Sequence, residues 1–241
     1  MHVHFVVHES FEAPGAFGNW VKNRGYSAGY SRVYLGDRLP ASDEGIDLLV
    51  VLGGPQSPAT TRDECPHFDA AAETSLIAQC VAAQKAVIGV CLGAQLIGEA
   101  LGAPFGHSPE KEIGKFPIFL TDEALRSAKF SHFGATLDVG HWHNDMPGLT
   151  PGAKVIACSE GCPRQIVEYA DLVYGFQCHM EFNREVVELL IAAEAAWSTL
   201  TRHRFVQPPE VLRQHDFSEM NEKLYAFLDT LVQEYRALAR Q

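Results

Sequence analysis

Cys91 is the residue whose surroundings most clearly suggest chemistry. The stretch Ala86–Val90 is apolar and typical of a strand, and Cys91 follows it between glycines at positions 89 and 93. This order of strand, G-x-C-x-G and helix is the nucleophile-elbow arrangement, with cysteine in place of serine. The glycines are needed because side chains at those two positions would collide in the sharp turn. The pattern predicts a cysteine nucleophile that projects from the turn.

The same turn places the sulfur of Cys91 at the N-terminus of a predicted helix. There the helix dipole and free N–H groups favour the thiolate, and the backbone N–H of Leu92 can stabilise an oxyanion. The competing interpretation is a small core residue, since free cysteine is often buried. The flanking glycines have no use in a plain strand-to-helix connection, and they favour the nucleophile.

A thiolate nucleophile needs a partner that protonates the leaving group, usually a histidine oriented by a carboxylate. His179 follows a predicted strand at Val173–Gln177, and Glu181 lies two residues further on. In an extended segment this spacing points both side chains the same way, so Glu181 can hold one imidazole nitrogen while the other faces Cys91. We therefore predict a triad of Cys91, His179 and Glu181.

A third motif, Gly53-Gly54-Pro55, follows the predicted strand Leu48–Leu52 directly. A glycine pair lets the backbone approach a ligand closely and present its N–H groups. The pair is either a second oxyanion donor or a simple tight turn. Its position beside the elbow motif favours the first interpretation.

The elements that must position these motifs read as strands alternating with helices, which predicts a mostly parallel sheet covered on both faces. The expected strands are Val3–Val7, Tyr30–Leu35, Leu48–Leu52, Ala86–Val90, Phe116–Leu120, Val155–Ala157, Ile166–Glu168 and Val173–Gln177. The expected helices are Cys65–Ala83, Leu92–Leu101, Asn183–Thr199 and Glu219–Ala239, with Asn183 and Ser218 as N-caps. Ligands of open α/β sheets bind beyond the carboxyl ends of the strands, so motifs at three such ends can form one site.

Composition limits the choice of partner. The 241 residues are 46% apolar and carry a formal net charge of −11, which disfavours nucleic acid and anionic membranes because both attract positive proteins. No apolar run approaches the roughly 20 residues that span a bilayer, and the N-terminus lacks a secretory pattern. Six scattered cysteines indicate reduced thiols. We expect a cytosolic protein that acts on a small molecule without a metal ion or cofactor.

Together the motifs resemble the class I (triad-type) glutamine amidotransferase domain, and within it stand-alone proteins similar to the glutaminase domain of GMP synthetase. The matching stretches are Leu52-Gly53-Gly54-Pro55, Gly89-Val90-Cys91-Leu92-Gly93-Ala94-Gln95, Lys111-Glu112-Ile113-Gly114, His141-Trp142-His143-Asn144-Asp145 and Gly175-Phe176-Gln177-Cys178-His179-Met180-Glu181. The resemblance covers roughly residues 1–200.

The resemblance implies a flavodoxin-like three-layer α/β/α sandwich and hydrolysis of the side-chain amide of glutamine through a γ-glutamyl thioester on Cys91. By the same resemblance, Gly54 and Leu92 would supply oxyanion N–H groups and Gln95 would hold the amino-acid head group. His143 would border the substrate pocket. Two stretches depart from the family pattern: His179-Met180-Glu181 replaces H-P-E, and Trp142-His143-Asn144-Asp145 replaces S-H-G-D.

The substrate and the fate of the nitrogen stay open at this point. The chain has no ATP-binding G-x-x-x-x-G-K-[ST] loop, so either a separate synthase subunit receives ammonia or the enzyme only hydrolyses γ-glutamyl compounds. A γ-glutamyl peptidase that cleaves γ-glutamyl peptides or amines is the alternative, and a non-catalytic regulatory domain is a third. We expect residues 1–202 to form the amidotransferase-like domain and 203–241 a helical extension that packs on it or forms a homodimer contact.

Overall fold

The computed structural model describes residues 1–239, within which ten strands form one mixed sheet. The strands are β1 (His2–Val7), β2 (Ser27–Arg32), β3 (Leu48–Val51), β4 (Ala86–Val90), β5 (Gly106–Leu120), β6 (Thr136–Met146), β7 (Lys154–Cys158), β8 (Ile166–Ala170), β9 (Val173–Phe176) and β10 (Phe205–Val206). Their order is β10-β5-β7-β8-β9-β4-β3-β1-β2, with β6 paired to β5. The half made of β2, β1, β3, β4 and β9 is parallel throughout.

Helices cover both faces of this sheet. They are α1 (Gly15–Asn23), α2 (Ala70–Ala82), α3 (Leu92–Ala100), α4 (Asp122–Arg126), α5 (Arg184–Ala193), α6 (Trp197–Leu200), α7 (Pro209–Leu212) and α8 (Ser218–Leu238). Helices α1, α5 and α8 contribute to one hydrophobic cluster and α2 and α3 to a second. In β3, Leu48 and Val50 face the first cluster and Leu49 and Val51 the second, as the two-residue period of a strand requires. The predicted three-layer α/β/α fold is confirmed.

The register of the parallel strands explains how distant motifs meet. Val51 in β3 lies opposite Gly89 in β4, and Val90 in β4 lies opposite Phe176 in β9. The segments that follow β3, β4 and β9 therefore leave the sheet at the same edge. The carboxyl end of β1 lies at this edge too, because β1 pairs in parallel with β3.

Several predicted boundaries are wrong for local reasons. The strand expected at Tyr30–Leu35 is Ser27–Arg32, because Val33–Leu35 forms a 3-10 turn that ends at Gly36 in the left-handed conformation. The helix expected from Cys65 begins at Ala70, because the Asp69 side chain accepts a hydrogen bond from Ala72 N–H and caps it there.

The predicted helix Asn183–Thr199 is interrupted. The Asn183 side chain caps α5 as expected, but the helix ends at Ala193 and a separate short helix follows. Ser218 is not an N-cap: it is the first residue of α8, and its N–H donates to the carboxylate of Asp216. Helix α1 and strands β6 and β10 were not predicted.

Strand β6 escaped prediction because its inward positions are not all apolar. His141 and His143 are buried on it, so the alternation of apolar and polar residues that marks a half-buried strand is missing. The polar strand β2 is an edge strand that pairs only with β1 and leaves most of its residues exposed.

Helix α8 packs deeply against the sheet. Leu224, Phe227, Leu228 and Leu231 have no exposed surface, as their spacing predicted. The Phe227 ring centroid lies 5.0 Å from those of Phe130 and Tyr174 and 5.3 Å from that of Phe176. No helix within residues 1–239 is long and apolar enough to cross a membrane.

Truncating Phe227 tests how strongly α8 is coupled to the sheet. We expect Phe227→Ala to lower the free energy of unfolding by about 3–5 kcal/mol, because it leaves a cavity among aromatic rings. Urea denaturation of the variant and the wild type measures the difference. Leu238→Ala, at a position 42% exposed on the same helix, is the matched control. A loss no larger than that of the control would show that α8 is only loosely attached.

Candidate active site

The turn at Cys91 has the backbone of a nucleophile elbow. Cys91 adopts φ 50° and ψ −107°, a conformation that is strained for a residue with a side chain. A Cβ atom on Gly89 would lie 2.2 Å from the Gly93 carbonyl oxygen, and one on Gly93 would lie 2.0 Å from that of Val51. Neither position can carry a side chain, so the predicted need for both glycines has a direct steric cause.

Cys91 itself is nearly buried, with 7% of its surface exposed. Its N–H donates to the Phe176 carbonyl oxygen over 2.7 Å, which ties the turn to the end of β9. Its sulfur lies 3.8 Å from the carbonyl oxygen of Trp142 in β6. The thiol therefore lies at the carboxyl ends of β4 and β9, next to the middle of β6.

His179 and Glu181 form a buried pair beside this turn. His179 Nδ1 lies 2.6 Å from Glu181 Oε1, and both side chains are almost fully buried. The other imidazole nitrogen, Nε2, has no partner within residues 1–239 that meets hydrogen-bond geometry. Cys91 is nevertheless close enough to raise the pKa of the His179 imidazole. The arrangement leaves Nε2 available for a reacting group.

The environment of His179 favours its protonated form. Burial disfavours the imidazolium, but the negative charge of Glu181 and the contacts with Cys91 and Glu181 outweigh it and raise the pKa of His179 well above its ordinary value. A histidine that is protonated at neutral pH can deliver a proton to a leaving amine.

Backbone contacts hold the His179–Glu181 segment in place. His179 N–H donates to the Gly140 carbonyl oxygen over 2.7 Å, and the imidazole stacks on the Phe182 ring at 4.5 Å between centroids. From the other side, Ala16 N–H donates to the Glu181 carbonyl oxygen over 2.9 Å. The first turn of α1 is thereby attached directly to the backbone of the candidate acid–base pair.

The Gly53-Gly54 turn is oriented by a buried histidine. His8 Nδ1 lies 2.8 Å from the Gly53 carbonyl oxygen, and His8 Nε2 lies 2.8 Å from Glu73 Oε2. In a trans peptide the carbonyl and the following N–H point in opposite directions. The Gly54 N–H therefore points away from His8, and Gly54 lines the cavity in front of Cys91.

A cavity of about 310 Å³ lies in front of Cys91, at the lower end of the range for small-molecule sites. Its lining comprises Phe11, Glu12, Gly54, Pro55, Gln56, Cys91, Gln95, Lys111, Ile113, Trp142, His143, Asn144, Asp145, Leu190, Ala193 and Glu194. Of the predicted site residues, Cys91, Gly54, Gln95 and His143 face the cavity.

The other predicted site residues do not line the cavity. They are Gly53, Leu92, His179 and Glu181. Leu92 begins α3 and is fully buried, and its Cδ2 lies 2.9 Å from where a Cβ on Gly54 would be. The two predicted oxyanion segments therefore touch each other. Gln95 Nε2 donates to Gln177 Oε1 over 3.2 Å, while Gln95 Oε1 is buried without a partner among the described residues.

His143 belongs to a buried polar network behind the cavity. The Gln165 amide nitrogen lies 2.6 Å from Glu112 Oε2, 3.2 Å from His141 Nδ1 and 3.2 Å from His143 Nε2. Burial lowers the pKa of His141 to about 3, so its ring is neutral. The network fixes one wall of the cavity.

Two side-chain groups within the described residues have donor atoms spaced closely enough for a metal ion, namely Glu112, His141 and His143, and Glu9, Cys65 and His67. The amide nitrogen of Gln165 lies amid the donor atoms of the first group. In the second, Glu9 Oε1 contacts both His67 and the amide of Gln56. Hydrogen bonds to neighbouring side chains explain why the donor atoms of each group lie close together.

The sequence interpretation missed Glu12 and gave His8 no specific role. Both follow β1 within the stretch His8-Glu9-Ser10-Phe11-Glu12, and β1 ends at the same edge as the motif-bearing strands. A cluster of ionisable residues directly after a buried strand was the available signal. Glu12 is 8% exposed and lines the cavity, and its Oε2 lies 2.6 Å from where a Cβ on Gly53 would stand.

Burial raises the pKa of Glu12 to about 7, while the positive charge of His179 offsets part of the effect. Between about pH 4.5 and 7 the folded protein keeps this proton and the unfolded chain loses it, so stability falls as pH rises through that window. The loss is on the order of 3 kcal/mol.

Glu12→Gln cannot ionise and should gain stability relative to wild type between about pH 4.5 and 8, measured by urea titration. If the difference in free energy of unfolding between Glu12→Gln and wild type were the same at about pH 4.5 and about pH 8, burial of the carboxyl would be contradicted.

Comparison with known proteins adds a family to this geometry. Residues 15–192 match the model of the family described as glutamine amidotransferase class-I. The chain is 57% identical over 232 residues to the glutamine amidotransferase-like protein YfeJ of Salmonella typhimurium, covering 96% of this chain and 97% of that protein. It is 31% identical over 172 residues to GMP synthase of Aeropyrum pernix, corresponding to 30% of that longer protein.

Solved structures agree with the fold. The crystal structure of SMU.1228c superposes with a TM-score of 0.95 at 46% identity, covering 96% of this chain and 100% of that one. A glutamine amidotransferase from Thermotoga maritima superposes with a TM-score of 0.83 at 23% identity, covering 96% and 98% of the two chains. With the family match spanning most of its length, the chain belongs to the class I glutamine amidotransferase family.

Proposed function

We propose that this protein hydrolyses a γ-glutamyl amide, with L-glutamine as substrate, through a thioester on Cys91. The observation that carries the proposal is the buried His179–Glu181 pair, 2.6 Å apart, beside a cysteine on a strained turn that faces a cavity. A nucleophile, a base and an orienting carboxylate in this arrangement can carry out acyl transfer. A non-catalytic domain would have no need of the strained turn.

In the acylation step, the sulfur of Cys91 attacks the γ-carbonyl carbon and the carbonyl oxygen becomes an oxyanion. The C–N bond then breaks, and His179 gives its Nε2 proton to the departing nitrogen, which leaves as ammonia. Glu181 holds the ring through Nδ1 and stabilises its positive charge. In the second step His179 takes a proton from water, which attacks the thioester carbon. The C–S bond then breaks, which releases glutamate and restores the Cys91 thiolate beside the protonated His179.

The oxyanion would be stabilised by backbone N–H groups of Gly54 and Leu92. The His8 contact to the Gly53 carbonyl supports this role for Gly54, because it turns the next N–H away from His8, and Gly54 lines the cavity. Gln95, with a buried and unpartnered carbonyl oxygen, would contact the amino-acid head group. His143 would border the substrate from the β6 side.

The released ammonia has two possible fates under this proposal. A separate synthase subunit could receive it, or the protein could act as a free-standing glutaminase. We also propose that residues 203–241 form an extension that packs on the amidotransferase-like domain of residues 1–202. The pairing of β10 with β5 and the core cluster that α8 shares with the sheet support this packing.

A γ-glutamyl peptidase is the second candidate. The observation that favours it is the contribution of Phe11, Glu12 and Gln56 to the cavity, which extends its lining beyond Cys91. A γ-glutamyl peptide or amine needs such space past the reacting carbonyl. Its chemistry at Cys91, His179 and Glu181 would be the same.

The decisive experiment supplies purified protein with L-glutamine and a panel of γ-glutamyl peptides and amines, and measures released ammonia or amine. We expect wild-type turnover and none with Cys91→Ala, because no other group supplies the nucleophile. Turnover mainly of peptides would favour the peptidase. If no γ-glutamyl compound is turned over, the proposed function is wrong.

Replacing the acid–base residue gives a graded test. We expect His179→Asn to reduce kcat about 10²–10⁴-fold, the usual contribution of a positioned general acid or base. His203→Asn, at an exposed position away from the cavity, is the matched control and should retain wild-type activity. Equal activity of the two variants would remove His179 from the mechanism.

A further inference from the structure

Glu12 is a buried carboxyl that the proposed reaction does not use. It is 8% exposed and faces the cavity. No group among the described residues meets hydrogen-bond geometry with its carboxylate, which is not sealed from the cavity. A carboxyl that is mostly removed from water, unpartnered and in a cavity wall is available to accept a hydrogen bond from a ligand.

Glu12 and His179 both pack beside Gly53. The point where a Cβ on Gly53 would stand is 2.6 Å from Glu12 Oε2 and 3.3 Å from His179 Cε1. The carboxylate and the Cε1 side of the imidazole therefore border the same space beside Gly53. Glycine at position 53 is what leaves room for it.

The loop that carries Glu12 is fixed to the same machinery. Glu12 N–H donates to the Glu9 carbonyl oxygen over 3.1 Å, and four residues on, Ala16 N–H donates to that of Glu181. Gly15 has φ +50°, and a Cβ there would lie 2.2 Å from the Glu181 carbonyl oxygen. These contacts fix the end of the loop that carries Glu12 against the Glu181 backbone, two residues from His179.

The other acidic residues that line the cavity are already engaged. Asp145 Oδ1 lies 2.6 Å from His107 Nδ1, and Glu194 Oε1 accepts a hydrogen bond from Ala196 N–H over 2.7 Å. Glu12 alone among the cavity carboxyls within residues 1–239 lacks such a contact, and the positive charge of His179 offsets part of the effect of burial on its pKa.

We propose that Glu12 accepts a hydrogen bond from the N–H of the substrate's leaving nitrogen, so that the site selects γ-glutamyl amides over γ-glutamyl esters. This inference rests on the proposed function. His179 must protonate the leaving nitrogen, so that nitrogen must come to the imidazole, and the Glu12 carboxyl lines the same cavity and borders the same space beside Gly53. An amide nitrogen offers an N–H to it and an ester oxygen offers none.

The role of Glu12 leaves the balance of the reaction unchanged. The bond between the γ-carbon and nitrogen breaks, its electron pair stays on nitrogen, and the proton comes from His179 Nε2. Glu12 neither gains nor loses a proton in this step. Its hydrogen bond orients the nitrogen so that the lone pair faces the imidazolium, and it stabilises the ammonium or amine as it forms.

The test compares one amide with one ester in the full-length protein. The substrates are L-glutamine and L-glutamate γ-methyl ester, and the readout is kcat/KM for each. Glu12→Met keeps the length of the side chain and removes the acceptor, whereas Glu12→Gln restores a neutral acceptor. Glu9→Gln is the matched control, since Glu9 is a neighbouring carboxyl that does not line the cavity.

Assayed above about pH 8, where a carboxyl with a pKa of about 7 is ionised, Glu12→Met should lose about 10–100-fold in kcat/KM on glutamine, the usual effect of losing a hydrogen bond to a charged group. The ester should change by less than about threefold, and Glu12→Gln should recover part of the loss on glutamine. Glu9→Gln should treat both substrates alike.

Equal losses on amide and ester would overturn the inference and leave the proposed function intact, because they would mean that Glu12 only maintains the shape of the cavity. A wild-type protein inactive on both substrates would overturn the proposed function and this inference with it. If Glu12→Met fails to fold by circular dichroism, Glu12→Ala, which also removes the acceptor, decides: an unchanged ratio of amide to ester activity in that variant overturns the inference.

Discussion

The site depends on close contact between backbones at the turn that carries Cys91. Gly89 lies against Gly93, and Gly93 lies against the carbonyl of Val51, so β3, β4 and α3 meet with no room for a side chain. This contact holds Cys91 in a conformation that costs on the order of 1–3 kcal/mol. The rest of the sheet supplies that energy, and the result is a cysteine that projects into a cavity.

Around this turn the protein buries several ionisable side chains, which is costly unless their charges are paired. His8 is paired with Glu73 and His179 with Glu181, each through a short contact. Both pairs act on backbone or on the reacting group: the first orients the Gly53 carbonyl and the second the imidazole. Glu12 is the exception, because a ligand rather than a protein group would complete its environment.

The sequence predicted the features that depend on local rules. The elbow at Cys91 and the alternation of strands and helices follow from residue type and spacing, and the three-layer fold followed from them. Strand β6 and the network of Glu112, His141 and Gln165 could not be predicted, because their polar residues are satisfied only by partners far away in sequence. Glu12 was missed because the ionisable residues that follow β1 mark a polar loop but do not show which of them faces the site. That depends on packing beside Gly53 and near His179.

The central claim is that Cys91 forms a covalent γ-glutamyl intermediate. Acid-quenching the protein during turnover of L-glutamine and mapping its peptides by mass spectrometry tests this most directly. The account predicts that the peptide containing Cys91 gains the mass of one γ-glutamyl group, and that Cys91→Ala gains none. A γ-glutamyl group on another residue, or turnover by Cys91→Ala, would contradict the account.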